Sequence, residues 1–183
     1  MYHISNDKRV INSAQMICKG MMLCLKEKSL EKITVTDLYN KSYVSRATFY
    51  RLFDNMNDVL SYMCDKMIQD SLDIALDKQF QSSDDFFIFF IQNWIDNAEL
   101  VRALAQNNVL NILYDTHMKH SKDIQNFFAV PELGEHEMDY LISVLSSLIP
   151  AALNVWLMHS GNESAKEVLG YVKKTISILD KTL

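Results

Sequence analysis

Three side chains suited to starting helices, Thr34, Ser45 and Asn55, punctuate the run Ile33–Leu60, ITVTDLYNKSYVSRATFYRLFDNMNDVL. They divide it into two short helices, a tight turn between them, and the start of a third. Thr34-x-x-Asp37 has the form of a capping box, in which the hydroxyl accepts from the third amide and the carboxylate sits near the positive helix end. The first short helix should end near Lys41 or Ser42, the second should span about 46–52, and the third about 56–79. Helices of two turns do not persist alone. They must pack on a first helix over about 8–28, where Val10, Ala14, Ile17, Met21 and Leu25 make one apolar stripe.

Long helices with brief breaks follow. Candidate spans are 84–97, 99–128 with an interruption near Gln106–Asn108, 135–160, and 163–181. Pro131 and Gly134 separate the second and third of these, and Gly161-Asn162 ends the penultimate helix. With four Gly and two Pro the chain is too poor in turn formers for a sheet-rich protein, so the expected class is all-α, about nine helices.

The penultimate helix carries Met138, Leu141, Ile142, Leu145, Leu148, Ile149, Ala152 and Trp156 on one stripe, with Val144, Ala151, Val155 and Met158 opposite. A helix apolar nearly all round must be buried nearly all round, and Pro150 should bend it. The last helix adds Ala165, Val168, Leu169, Val172, Ile176 and Leu179. A homodimer closed by a four-helix bundle would bury both, with Leu141, Leu145, Leu148, Ala152, Val168, Val172 and Ile176 as candidate interface residues. The alternative is a monomer whose other helices cover these faces.

Cys18, Cys24 and Cys64 are an odd number without framework spacing, as in buried thiols of a reducing compartment. There is no secretory pattern, and the longest apolar runs, Phe86–Ile91 and Leu148–Leu153, fall well short of the roughly 20 residues a bilayer span needs. The expectation is a cytoplasmic protein with no membrane partner. The net charge of −5 hides an asymmetry: residues 1–60 hold nine basic against six acidic residues (+3), and 61–183 hold nine against seventeen (−8).

The basic third contains the chemistry. In a helix-turn-helix the second helix enters the DNA major groove and its amino end touches base edges. Here that end offers Arg46 for a bidentate pair to guanine, and Ala47 and the Thr48 methyl for thymine. Thr36, Tyr50 and Arg51 suit phosphates. Phe49, Leu52 and Phe53, with Leu38 and Val44, form the inward face. On the residues Ile33-Thr34-Val35-Thr36-Asp37-Leu38, Val44-Ser45-Arg46-x-Thr48-Phe49-Tyr50-Arg51-x-Phe53 and Asp58-x-Leu60, the chain resembles the TetR (tetracycline-repressor) family of transcription regulators over residues 8–60. Around Tyr140, Trp156-Leu157 and Gly161 it is further similar to regulators related to dihydroxyacetone-kinase operon activators.

The resemblance implies a DNA-binding helix-turn-helix domain over 1–55 and a helical effector-binding and dimerisation domain over 56–183. It extends the DNA-facing set to Thr34, Thr36, Lys41, Tyr43, Ser45, Arg46, Ala47, Thr48, Tyr50, Arg51 and Asn57. Two positions depart from the family pattern. Tyr43 stands where a glycine is usual and must relax the turn or add a contact, because a bulky residue at positive φ is strained. Asn57 replaces a lysine directed at phosphate, and Lys41 is the candidate to supply that charge. An apolar or aromatic effector would sit among Met63, Met67, Phe90, Trp94, Tyr114, Met118 and Trp156. His117 and His120, three apart, lack companion ligands for a metal and are expected at ordinary polar positions. No catalytic motif or cofactor loop is present. The expected function is a repressor released from a palindromic operator by a small molecule; the alternative is a regulator controlled by a protein partner, or an activator, without such a pocket.

Overall fold

The computed structural model describes residues 1–127, 130 and 133–181, and over them the chain is all-helical. In order come α1 (Lys8–Leu25), α2 (Val35–Ser42), α3 (Arg46–Leu52), α4 (Met56–Leu76), α5 (Ser83–Asp96) and α6 (Ala98–Gln106). They are followed by α7 (Asn111–Lys119), α8 (Ser121–Gln125), α9 (Glu135–Met158) and α10 (Ala165–Asp180). One 3₁₀ turn, Leu30–Lys32, joins α1 to α2. Pro131 and the Leu179 side chain lie outside the described residues.

The three expected caps form. Thr34 Oγ1 accepts from the Asp37 amide at 3.2 Å while the Asp37 carboxylate accepts from the Thr34 amide at 2.7 Å. Ser45 Oγ accepts from the Thr48 amide at 3.2 Å, and Asn55 Oδ1 from the Asp58 amide at 3.1 Å. These bonds satisfy amide donors that a helix start otherwise leaves open.

The span 99–128 breaks twice, which carries the helix count past nine. At the first break Asn108 is left-handed (φ 57°), a conformation asparagine tolerates. Its neighbour Asn107 donates to the Ala103 carbonyl at 2.7 Å and accepts from the Leu30 amide at 2.6 Å, fastening the end of α6 to the 3₁₀ turn. At the second break His120 turns its Nε2 to within 2.7 Å of Asp65 Oδ1 on α4.

One continuous core runs from Ile17, Leu38, Phe49, Leu52 and Phe53 through Leu60 and Ile68 to Phe86, Phe90, Trp94 and Leu104. A smaller cluster of Ile91, Trp156, Ala165 and Val168 holds α10 against α5 and α9. Helix α9 buries Ile142, Ser146, Pro150, Leu153 and Trp156 on one side. Its other side leaves Tyr140, Val144, Val155 and Met158 exposed, so within one chain it is covered on one face only. By length and composition it is apolar enough to cross a bilayer, with mean hydropathy 1.9 in its most apolar window, although its unbroken apolar runs are short.

Candidate nucleic-acid interface

Helix α3 is amphipathic in a way that separates packing from presentation. Phe49, Leu52 and the following Phe53 are buried, and Val44 is half-buried beside them. Ser45, Arg46, Ala47, Tyr50 and Arg51 are exposed, with Thr48 half-buried. Tyr50 is 60% exposed and packs edge-on against Phe49, ring centroids 5.3 Å apart, which limits its rotamers without covering its hydroxyl. The Arg46 guanidinium donates to the Thr36 hydroxyl on the first turn of α2. That bond places the candidate base-reading and phosphate-binding groups side by side.

The turn between α2 and α3 is pinned by Ser42, whose hydroxyl donates to the Leu38 carbonyl at 2.6 Å and accepts from the Val44 amide at 3.2 Å. Tyr43 does not relax this turn, contrary to one expectation. It keeps the left-handed conformation (φ 58°, ψ 18°), and its amide donates to the Tyr39 carbonyl at 2.8 Å. Its ring is 80% exposed, so the strain is confined to the backbone.

Besides the Arg46–Thr36 and Ser45–Thr48 pairs, Thr34 and Lys41 of the expected DNA-facing set also have internal partners. Thr34 donates its hydroxyl to Asp37 at 2.7 Å, and Lys41 is ion-paired with Glu27 at the end of α1. Lys28, 2.8 Å from Asp37, and then the Thr34 bonds hold that carboxyl well below the ordinary carboxylate range. Asn57 is exposed on the first turn of α4. Tyr39 was not anticipated: it is exposed on α2, and its position three residues after Thr36 puts it on the same face as Thr36 and Tyr43.

An amino-terminal arm ties this head to the rest of the molecule. Tyr2 bridges antiparallel to Phe53, and the His3 amide donates to the Leu52 carbonyl at 2.8 Å. The Tyr2 hydroxyl donates to Asp65, which also receives Lys119 Nζ at 2.8 Å and faces His120. Burial alone would raise the Asp65 carboxyl. Hydrogen bonds with His120, Lys119 and Tyr2 outweigh that and hold it well below the ordinary range.

No protein-family model matches the chain, and no curated protein matches it in sequence. Solved structures match in shape. Lin0861 from Listeria innocua superposes with a TM-score of 0.79 at 14% identity, over 97% of this chain and 96% of that one. A TetR transcriptional regulator from Streptococcus agalactiae 2603V gives 0.61 at 18% identity, covering 90% and 93%. The fold is TetR-like. The dihydroxyacetone kinase operon activator DhaS shares it at 0.58 and 14% identity, covering 92% and 98%.

Within this TetR-like fold the seven candidate effector residues do not line one space. Met63 and Met67 face an open groove between α1, α4 and the α5–α6 junction. Phe90 and Trp94 are core residues, and Met118 is half-buried. The Tyr114 hydroxyl lies 3.2 Å from that of Ser143, and the Trp156 indole donates to the Glu163 carbonyl at 2.9 Å. Of the candidate interface residues, Leu141 packs half-buried on the main core. The other six, Leu145, Leu148, Ala152, Val168, Val172 and Ile176, line an apolar pocket of about 140 Å³ between α5, α9 and α10. The Asp84–Lys173 ion pair, 2.6 Å, is part of its wall. His117 and His120 are not at ordinary polar positions: both are buried, because α7 packs between α4 and α9. Among the described residues no cluster of side chains suits a metal.

Proposed function

We propose that the protein is a DNA-binding transcription regulator that acts as a twofold dimer and sets α3 in the major groove of a palindromic operator. The observation that carries this is the division of α3: Phe49 and Leu52 anchor it, while Arg46, Ala47, Tyr50 and Arg51 stand in solvent on the other side. Arg46 would pair with guanine, Ala47 and Thr48 would meet thymine methyls, and Thr36, Tyr43, Tyr50 and Arg51 would take phosphates. The +3 balance of residues 1–60 supports the same surface.

The dimer rests on α9 and α10, which leave Val144, Val155, Met158, Tyr171, Ile176 and Ile178 exposed on adjacent helices. An apolar face of this kind suits a second copy of the chain. Residues 1–55 would form the reading head, and 56–183 the part that dimerises and senses. An effector that binds more tightly to a dimer with mis-spaced heads would release DNA.

Repression is the first reading. The likeness in fold to DhaS, an operon activator, favours activation as a second. The scatter of the seven expected effector residues favours control by a protein partner over a single large pocket. Mobility shift on DNA flanking the gene tests the reading. The wild type should retard a discrete fragment, and both Arg46→Ala and Tyr50→Phe should weaken that without lowering the melting temperature. Equal affinity in all three proteins would remove the assigned roles.

A further inference from the structure

We propose that His117 anchors a binding site for a small uncharged molecule bearing one hydrogen-bond acceptor on a benzene-sized apolar body. His117 is 1% exposed on α7. The Trp94 indole nitrogen lies 3.2 Å from its Nε2. An indole can only donate, so Nε2 accepts and the neutral ring carries its proton on Nδ1. Burial keeps the ring neutral by holding its pKa down to about 4. Nδ1 closes no full hydrogen bond within the protein. A buried donor left unpaired is costly, and a ligand acceptor would remove that cost.

The surroundings specify the rest of the ligand. His117 borders a cavity of about 20 Å³, room for one water-sized group, with Phe86, Phe90 and Ile142 in its wall. Ser146 is the polar exception. Its carbonyl, which lacks the usual helical partner because Pro150, one turn on, has no amide hydrogen, acts on the His117 ring and partly offsets the effect of burial, but it stops short of hydrogen-bond geometry at Nδ1. Phe87, Leu145 and Ile149 border both this cavity and the apolar pocket of about 140 Å³ between α5, α9 and α10. The latter is close in size to a cavity that accepts benzene. Rotation of those three side chains would join the two spaces. A ring would occupy the larger and a carbonyl or ether oxygen the smaller. A carboxylate is disfavoured, since no cationic side chain borders the inner space.

Calling this ligand the effector rests on the regulator reading; its binding does not. Helix α7 carries His117 and, half a turn on, Lys119; His120 follows directly, and both bond Asp65 of α4. The ligand seat and the latch of the amino-terminal arm therefore ride on one segment.

The test is to titrate acetophenone, and ethylbenzene as its acceptor-free counterpart, into the full chain by calorimetry and by ¹⁵N NMR of labelled histidine. Acetophenone should bind saturably and shift the His117 Nδ1–H resonance, whereas ethylbenzene should leave that resonance in place. In His117→Phe the ratio of acetophenone to ethylbenzene affinity should fall about tenfold. No saturable acetophenone binding, equal shifts with both compounds, or an unchanged ratio would overturn the site. If His117→Phe does not fold, the wild-type NMR comparison decides. Absent acetophenone binding in a protein that still binds operator DNA defeats this site alone. Acetophenone binding in a protein that binds no duplex leaves the site standing and defeats the regulator reading.

Discussion

Gly20 of α1 lies so close to Ser42 of α2 that a Cβ on the glycine would stand 2.9 Å from the serine Cβ and 3.2 Å from its amide nitrogen. Ser42 is the residue that pins the helix-turn-helix turn, so this crossing sets the angle at which α2 and α3 leave α1. Alanine is the better helix former by about 1 kcal/mol, but overpacking against backbone costs about 1–3 kcal/mol. Gly20→Ala should therefore destabilise the protein in urea unfolding, by about 1 kcal/mol net. A rise in stability would contradict the close crossing.

Tyr43 calls for the opposite substitution. Its left-handed backbone costs about 1–2 kcal/mol in any residue with a Cβ, part of which glycine gives back in chain entropy. Tyr43→Gly should raise stability by about 1 kcal/mol, measured as the shift in the urea midpoint. Operator affinity should fall at the same time, because the exposed ring is lost. A more stable variant with unchanged affinity would assign Tyr43 no contact.

His117 gives stability a pH dependence with a definite sign. Its folded pKa, about 4, lies below the ordinary value of about 6.5, so between those values the unfolded chain binds more protons. Stability from this group is complete above about pH 6.5 and lost as pH falls toward 4, by up to about 1.4 kcal/mol per pH unit. In His117→Phe that part of the slope should vanish. The check is urea unfolding of both proteins at intervals from pH 7 to pH 4.5.

Asp65 joins the arm, α4 and α7, and it stays charged below the ordinary carboxylate range. Its depressed pKa means that its stabilisation holds above about pH 4 and fades on further acidification. Asp65→Asn should lower stability at neutral pH by about 2 kcal/mol. Hydrogen exchange at the His3 amide, which donates to the Leu52 carbonyl, should also speed up. Unchanged exchange would show that the arm is held without Asp65.

Local chemistry was legible in the sequence where a few adjacent residues decide the outcome. Thr34, Ser45 and Asn55 cap helices within reach of their own amides, so α2, α3 and α4 start where their spacing puts them. Phe49 and Leu52 fall inward by helical period alone. Pairings across long sequence distances were not legible. Nothing near Lys41 announces Glu27, and nothing near His117 announces Trp94 or the covering of α7 by α9. Met63, Tyr114 and Trp156 share a composition suited to a pocket, but helix rotation sends them to three different places. Gly20 did leave a signal: a glycine inside a helical pattern is unfavourable without a packing reason.

Binding selection from a random duplex library measures whether α3 reads duplex DNA through Arg46. Wild type should enrich a palindrome whose half-sites are centred about one or two turns apart (~34 Å per turn). Arg46→Ala, folded and dimeric, should lose the preference for one guanine in each half-site while keeping weaker, salt-sensitive binding. If the wild type enriches no duplex sequence, or Arg46→Ala enriches the same palindrome with equal strength, this account of the surface is wrong.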